Sequence, residues 1–281
     1  MPARCPATAA PGPLRRRLPA AAAVLLAMLA AFPAMAGVRV GVTPGALADS
    51  IHVAAEEART QGLDVEVVEF SDWTMPNRAL DNGDLDVNYF QHQAFLDNVV
   101  RETGFSLKSV GIGILPNIGL YSEKYTALAD IPDGATVAVA SDPVNQGRGL
   151  ALVEAAGLIR LKPGIGAKAT LDDIAENPRH LRFVEIEGPQ LVRAIADVDL
   201  AQGYPAHYVN AGRSDFAGKA LIYSGVSDQY FAIRFVTRTN RADDGDIARF
   251  ISLYQTSPAV RKRIDASFAG NAALYTLPWL Q

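Results

Sequence analysis

Hydrophobic and polar positions follow two alternating periods along the chain, and the changes between them mark the predicted elements. Alternation at residues 38–42 and segments rich in valine and aromatic residues at 63–70 and 86–90 predict strands. Apolar residues at helical spacing predict helices at 46–60 and 76–83, each with a glycine near its end. Strands that alternate with helices predict a parallel sheet with helices on its faces, where ligands bind at the carboxyl ends of the strands.

The pattern restarts after an apolar segment, residues 110–121, which three glycines and a proline interrupt. A new strand is predicted at 136–140, and Asp142 and Pro143 open a helix. Further helices are predicted at residues 171–175, 190–196, 247–254 and 258–268, and further strands at 181–186, 201–203, 219–223 and 231–236. A second crossing, near 224–230, returns the chain to the first unit.

The chain therefore crosses twice between two α/β units. Such a topology predicts two lobes with a cleft between them, a shape that suits hinge closure around a small ligand. We expect the first lobe to comprise residues 37–115 and 228–281, and the second lobe residues 116–227.

The first 36 residues differ in composition from the rest. Four arginines lie in a Pro- and Ala-rich stretch without acidic residues, residues 20–32 are apolar, and Ala34-Met35-Ala36 follows. This order predicts a signal peptide, residues 1–36, cleaved after Ala36. The apolar run is shorter than the roughly 20 residues of a transmembrane helix, and the alternative is an uncleaved anchor. Cys5 lies within this segment and no cysteine stands at the cleavage site, so we expect an exported protein that is not lipidated.

Composition and charge narrow the function classes. The 281 residues include 26 Lys and Arg against 30 Asp and Glu, a formal net charge of −4, which disfavours a general nucleic-acid binder. A single cysteine excludes an internal disulfide and a cysteine-based zinc cluster. The sequence has no G-x-S-x-G, H-E-x-x-H, Walker A or G-x-G-x-x-G motif, and its four histidines lack metal-ligand spacing. We expect no enzymatic activity, no metal and no cofactor, and a monomer.

The segment of residues 141–149 joins a predicted strand to a helix. Free backbone N–H groups and the helix dipole at such a position favour an anion. Arg148, one turn into the helix, can form a bidentate pair with a carboxylate. The alternative is that Asp142 is only an N-cap and Arg148 only a surface residue.

Aromatic residues follow two strands of the first predicted sheet. Trp73 comes after the second strand, Phe90 ends the third, and His92 and Phe95 follow directly. At the carboxyl ends of strands these side chains can line an apolar pocket that holds a few polar groups. The alternative is ordinary core packing for the aromatic residues and a structural role for His92.

Several of these segments, in this order, resemble the methionine-binding (NlpA-type) lipoprotein family. The matching stretches are residues 42–45, 69–73, 76–80, 88–92, 131–137 and 142–148, and the similarity runs from about Val38 to the C-terminus. The resemblance implies a two-lobed, type II-like periplasmic binding protein, in which each lobe is a mixed sheet flanked by helices and two crossover segments form the hinge. It also implies a periplasmic partner of an ABC-transporter permease in the inner membrane, which binds methionine or a related small apolar amino acid in the interlobe cleft.

The resemblance also assigns roles to individual residues. By position, four residues would form the pocket for the ligand's side chain: Trp73, Phe90, His92 and Phe95. Arg148, with Asn145 beside it, would hold the ligand's carboxylate. Trp73 stands where the family usually has tyrosine, and a methionine sulfur packs favourably on an aromatic ring.

Two departures from the family leave the ligand open. Tyr204 and Ala206 occupy the places of two family asparagines, and no asparagine stands near Ile233. In the family these asparagines help to hold the polar end of the amino acid. We count Tyr204 among the ligand-binding residues. The sequence therefore leaves two alternatives open. The ligand is a non-methionine carboxylate or a short peptide, or the protein senses its ligand rather than serving transport.

Overall fold

The computed structural model describes residues 37–281, in which the chain forms two five-stranded sheets flanked by helices. The strands are β1 (Val38–Val42), β2 (Val65–Glu69), β3 (Val87–His92), β4 (Leu107–Ile112), β5 (Leu115–Pro116), β6 (Gly119–Tyr121), β7 (Thr136–Ala140), β8 (Arg160–Leu161), β9 (Ile174–Glu176), β10 (Arg182–Ile186), β11 (Leu200–Gly203), β12 (Ile222–Tyr223), β13 (Ile233–Arg238) and β14 (Tyr275–Thr276). The helices are α1 (Ala46–Thr60), α2 (Met75–Asn82), α3 (Gln93–Thr103), α4 (Pro143–Ala155), α5 (Leu191–Ala194), α6 (Pro205–Asn210), α7 (Ser214–Ala217), α8 (Gly245–Thr256) and α9 (Pro258–Ser267). The predicted signal peptide lies outside the described residues.

The first sheet has the strand order β2-β1-β3-β13-β4. β1 runs parallel to β2 and β3, with Val40 opposite both Val67 and Val87. β13 is antiparallel to β3 and β4, so the sheet is mixed rather than purely parallel. Helices α1, α8 and α9 bury one face, with Ile51 and Phe250 fully enclosed, and α2 and α3 cover the other. The parallel strands β1, β2 and β3 therefore end at the same edge, where the site lies.

The second sheet has the strand order β10-β7-β11-β6-β12. β7 runs parallel to β10 and β11, whereas β6 is antiparallel to β11 and β12. Two apolar clusters, one including Leu150 and Val137 and the other Tyr121 and Tyr208, pack against this sheet. Helix α4 follows β7 directly, which places the N-terminus of the helix at the carboxyl edge of the sheet.

The two crossing segments are hydrogen-bonded to each other. Asn117, between β5 and β6, is buried, and its side-chain oxygen accepts from the Ser224 hydroxyl at 3.1 Å and from the Gly225 N–H at 2.9 Å. Ile233 also donates its N–H to the carbonyl of Ile114 at 2.8 Å. A mixed α/β fold with two lobes and two crossings is confirmed, while the predicted lobe boundaries stay a prediction.

Several predicted elements differ from those observed. Helix α4 begins at Pro143 as predicted, but residues 171–175 form a 3₁₀ turn (Leu171–Asp173) followed by strand β9, so the prediction of a helix there was wrong. Strand β4 and helix α3 were not predicted. Helix α3 begins directly after the aromatic segment of β3, and its apolar residues Phe95, Leu96, Val99 and Val100 follow a helical period that sequence reasoning overlooked.

We expect Asn117→Ala to lower the free energy of unfolding by about 1–3 kcal/mol, because two donors in the crossing segments lose a buried acceptor. Denaturant unfolding measures this change. Asn240→Ala, at an exposed position, is the matched control and should change stability by less than about 0.5 kcal/mol. Equal stability of the two variants would contradict the role given to Asn117.

No helix within residues 37–281 combines the length and the apolar character needed to span a membrane.

Candidate functional site

A cavity lies where the carboxyl edge of the first sheet faces the N-terminus of helix α4. Six of the seven residues predicted to bind ligand line it: Trp73, Phe90, His92, Phe95, Asn145 and Tyr204. About 60 Å³ is open to water centres, which is room for about four to six waters and therefore for a small ligand. The seventh predicted residue, Arg148, does not line this cavity.

The end of β3 supplies the aromatic wall. The Phe90 and Phe95 rings meet edge to face, with 5.9 Å between centroids. His92 is the N-cap of helix α3, and its Nδ1 accepts from the Phe95 N–H at 3.1 Å. A ring nitrogen that accepts carries no proton, so in the neutral ring Nε2 carries it and donates to the side-chain oxygen of Asn145 at 3.3 Å.

A buried amide cluster fixes the end of β3 against helix α2. Asn77 donates to Gln91 at 2.9 Å, and Asn88 donates to the side-chain oxygen of Asn77 at 2.9 Å. Gln91 in turn donates to the Asn77 and Asn88 oxygens, at 2.6 and 3.0 Å. All three residues are almost completely buried. A fully satisfied network of this kind holds the strand end rigid, and with it the positions of Phe90 and His92.

The N-terminus of helix α4 supplies the opposite wall. Asp142 is the N-cap and accepts from the Asn145 N–H at 2.9 Å. The Asn145 side-chain NH₂ donates to both Asp142 carboxylate oxygens at 3.1 Å, and burial raises the pKa of Asp142. The Asn145 side-chain oxygen accepts from the Tyr204 hydroxyl at 3.0 Å as well as from His92. One amide therefore joins the two walls.

Arg148 is buried behind Tyr204. Its Nη1 donates to the Tyr204 hydroxyl at 2.9 Å, and its guanidinium carbon lies 4.2 Å from the centroid of the Phe231 ring. Phe231, in the second crossing segment, also packs edge to face on His92 at 5.3 Å. Within residues 37–281 no acidic side chain forms an ion pair with Arg148. The remaining surface of Arg148 borders a second cavity, which Asp228 also lines.

Both histidines at the site are held neutral. Burial, with the charge of Arg148 as the next cause, lowers the pKa of His92 from 6.5 to about 3. Burial alone lowers the pKa of His207, a half-buried residue of the cavity wall, from 6.5 to about 4. Sequence reasoning missed His207 and Phe231. The signal available for His207 was its position three residues after Tyr204, in the first turn of helix α6.

Trp73 closes the outer side of the cavity. Its ring meets Tyr204 edge to face, with 6.5 Å between centroids. The far edge of the indole lies directly over Gly188, which follows β10 in the second sheet. A β-carbon at Gly188 would lie 2.0 Å from Trp73 Cζ3, closer than any real contact. Only glycine therefore allows this tryptophan to reach across the cleft.

Comparison with protein families shows the family of this chain. The family model described as NlpA lipoprotein matches residues 38–274. The chain belongs to the NlpA lipoprotein family.

Relatives and solved structures of this family align with most of this chain and with most of their own length. The D-methionine-binding lipoprotein MetQ of Salmonella typhimurium is 38% identical over 240 residues, 84% of this chain and 87% of that protein. Lipoprotein 28 of Escherichia coli O157:H7 is 39% identical over 238 residues, 84% and 86% of the two chains. A crystal structure of the methionine-binding protein MetQ has a TM-score of 0.80 at 36% identity and covers 87% of this chain and 99% of its own.

A further NlpA-like structure contains a ligand. A nutrient-binding protein from Burkholderia cenocepacia, bound to methionine, has a TM-score of 0.78 at 35% identity and covers 85% of this chain and 99% of its own. These findings confirm the family and the architecture predicted from the sequence. The roles of individual site residues stay a prediction.

We expect the free energy of unfolding to fall as the pH drops from about 6.5 toward 5. Folding holds His92 neutral, whereas the unfolded chain binds a proton below its ordinary pKa of 6.5. Its contribution is therefore present above pH 6.5 and is lost as the pH falls toward about 3. The slope for one such histidine is at most about 1.4 kcal/mol per pH unit.

Denaturant unfolding at several pH values measures this slope. His92→Asn keeps a side chain that can cap helix α3 and should flatten the curve between pH 6.5 and 5. His180→Asn, at an exposed position with a positive φ that asparagine tolerates, should leave it unchanged. An unaltered slope in His92→Asn would contradict the burial of a neutral His92.

We expect Gly188→Ala to destabilise the protein by about 1–3 kcal/mol, because the new methyl group overlaps the indole of Trp73. In a Trp73→Phe background, which removes the overlapping part of the ring, the same substitution should cost less than about 0.5 kcal/mol. A double-mutant cycle of unfolding free energies measures both values. Gly245→Ala, where a β-carbon meets no atom within 4 Å, is the control. Equal costs in the two backgrounds would disprove the contact.

Proposed function

We propose that this protein is the exported substrate-binding protein of an ABC importer and that it binds methionine or a closely related small apolar compound with a carboxylate. The observation that carries the proposal is an apolar cavity beside a buried arginine that has no acidic ion-pair partner among residues 37–281. The cavity takes walls from both sheets, and the MetQ relatives named above are described as methionine-binding proteins.

The arrangement favours an anionic ligand for a physical reason. Burying a guanidinium without a counter-ion costs free energy, and a carboxylate beside it recovers part of that cost. Tyr204 already receives a hydrogen bond from Arg148, which makes its hydroxyl a stronger donor. The Tyr204 hydroxyl now donates to the Asn145 side-chain oxygen at 3.0 Å. We propose that the ligand's carboxylate takes this donor in place of Asn145, with Arg148 behind it. Arg148 then stabilises the bound carboxylate indirectly, by its positive charge and by its hydrogen bond to the Tyr204 hydroxyl.

Ligand binding would favour the closed arrangement of the two lobes. A ligand that touches Phe90 and Phe95 on one side and Tyr204 on the other gains contacts only when both walls are close, so it shifts the population toward the closed form. A micromolar site needs about 8 kcal/mol. Burial of one apolar side chain contributes about 2–3 kcal/mol of that amount, and charge-assisted hydrogen bonds to the carboxylate supply a further share.

We infer that the protein binds its ligand without converting it. The relatives are described as binding proteins. On the cavity wall both nitrogens of His92 are already hydrogen-bonded within the protein, which leaves this histidine no lone pair for a general base. Incubation of purified protein with amino-acid esters and amides, followed by mass analysis, should show no product.

We propose that the mature chain begins at Gly37 and carries no lipid, although its relatives are described as lipoproteins. The only cysteine of the sequence is Cys5, within the predicted signal peptide. Intact mass of the exported protein should equal that of residues 37–281 without an added acyl chain. The transport role implies a permease partner, which we expect to co-purify with the protein.

We expect thermal-shift screening of all amino acids, short peptides and apolar carboxylates to identify a stabilising compound, whose affinity calorimetry then measures. Arg148→Ala should weaken that affinity at least tenfold, since it removes the charge behind the carboxylate. Arg193→Ala, an exposed arginine of the same sheet's layer, is the control and should bind normally. An unchanged affinity in Arg148→Ala would contradict the carboxylate site.

A further inference from the structure

We infer that this cavity prefers a carboxylate whose α-substituent is uncharged, a 2-hydroxy or 2-oxo acid with an apolar side chain, over the corresponding α-amino acid. The inference rests on the proposed function, because it concerns the ligand of the same site. It follows from the state of each polar side chain on the cavity wall.

An α-ammonium group needs acceptors, and the wall has few to offer. None of the residues that line the cavity is acidic. The carboxylate of Asp142 lies behind Asn145 and accepts with both oxygens from the Asn145 side chain. The Asn145 oxygen accepts from Tyr204 and His92, and it keeps the His92 donor when a ligand carboxylate takes the Tyr204 hydroxyl. Each of these side-chain oxygens therefore keeps at least one donor, and the Asn145 oxygen, which borders the cavity, is uncharged.

The amide of Gln91 is also occupied. Its oxygen accepts from Asn77, and its NH₂ donates to Asn77 and Asn88. Because this cluster holds the end of β3, turning Gln91 toward a ligand would leave buried amides without partners, which costs about 1–3 kcal/mol for each group. Gln91 therefore belongs to the scaffold of the site rather than to its binding groups.

Besides the Trp73 indole N–H, which can only donate, two polar side chains of the wall remain for the ligand. Thr43 and His207 line the cavity and make no side-chain hydrogen bond within residues 37–281. A threonine hydroxyl and a neutral imidazole can each donate to an oxo group or exchange hydrogen bonds with a hydroxyl. Neither carries the negative charge that a buried ammonium requires. This pair matches an uncharged oxygen substituent.

The electrostatic field acts in the same direction. Arg148 places a positive charge within hydrogen-bonding distance of Tyr204, and in the described part of the chain no acidic side chain forms an ion pair with it. The same charge, with burial, already disfavours the protonated form of His92. A ligand carboxylate is attracted to this region, whereas an ammonium group is repelled.

Calorimetry with ligands of one side chain tests the inference. The probes are D- and L-methionine, 2-hydroxy-4-(methylthio)butanoate, 4-(methylthio)-2-oxobutanoate and the unsubstituted 4-(methylthio)butanoate. We expect the hydroxy or the oxo acid to bind at least tenfold more tightly than either methionine enantiomer. Tighter or equal binding of methionine overturns the inference and leaves the proposed function intact. Absence of binding for all five probes and for the whole screen overturns the proposed function itself.

Two variants locate the preference in the structure. His207→Ala should weaken the hydroxy or oxo acid about fivefold or more and leave the unsubstituted acid unchanged, which a merely structural role would not do. Tyr204→Asn places an amide oxygen at the cavity and should shift the ratio of affinities toward methionine at least tenfold. An equal loss for all acids in His207→Ala would overturn the role of this residue.

Discussion

The burial of one positive charge, for which the described part of the chain supplies no acidic ion-pair partner, shapes this site. Arg148 is compensated by the dipole of the Tyr204 hydroxyl and by the face of Phe231, 4.2 Å away, and such cation–π contacts contribute about 0.5–2 kcal/mol. Tyr204 is therefore held toward Asn145, and Asn145 toward His92. The orientation of the polar side chains on both walls follows from the position of this guanidinium.

The two sheets supply different properties to the cavity. The first gives a rigid aromatic wall, because the amides behind β3 are mutually satisfied and the end of the strand cannot move without breaking them. The second sheet's layer supplies the positive charge of Arg148 on helix α4 and the Tyr204 hydroxyl, which can donate to a ligand. Phe231, in a crossing segment, touches both His92 and Arg148, so the hinge itself contributes to the site.

Much of this arrangement could be predicted from the sequence. The strand–turn–helix pattern around Pro143 and the aromatic residues after β3 are local signals, and six of the seven predicted ligand-binding residues line one cavity. The position of Arg148 behind Tyr204 could not be predicted, because it depends on the packing of β11 and α4. His207 and Phe231 were missed for the same reason, and Gly188 has meaning only through a tryptophan more than a hundred residues away.

The contact of Trp73 with Gly188 has an optical consequence. The protein has two tryptophans, and the second, Trp279, packs on Tyr254 and donates its indole N–H to the Gln255 carbonyl at 2.9 Å, within the first sheet's layer. Only Trp73 spans the cleft, so opening the lobes would expose one indole to water and leave the other in place. The chain thus carries its own fluorescent reporter of domain closure, with an internal reference that needs no label.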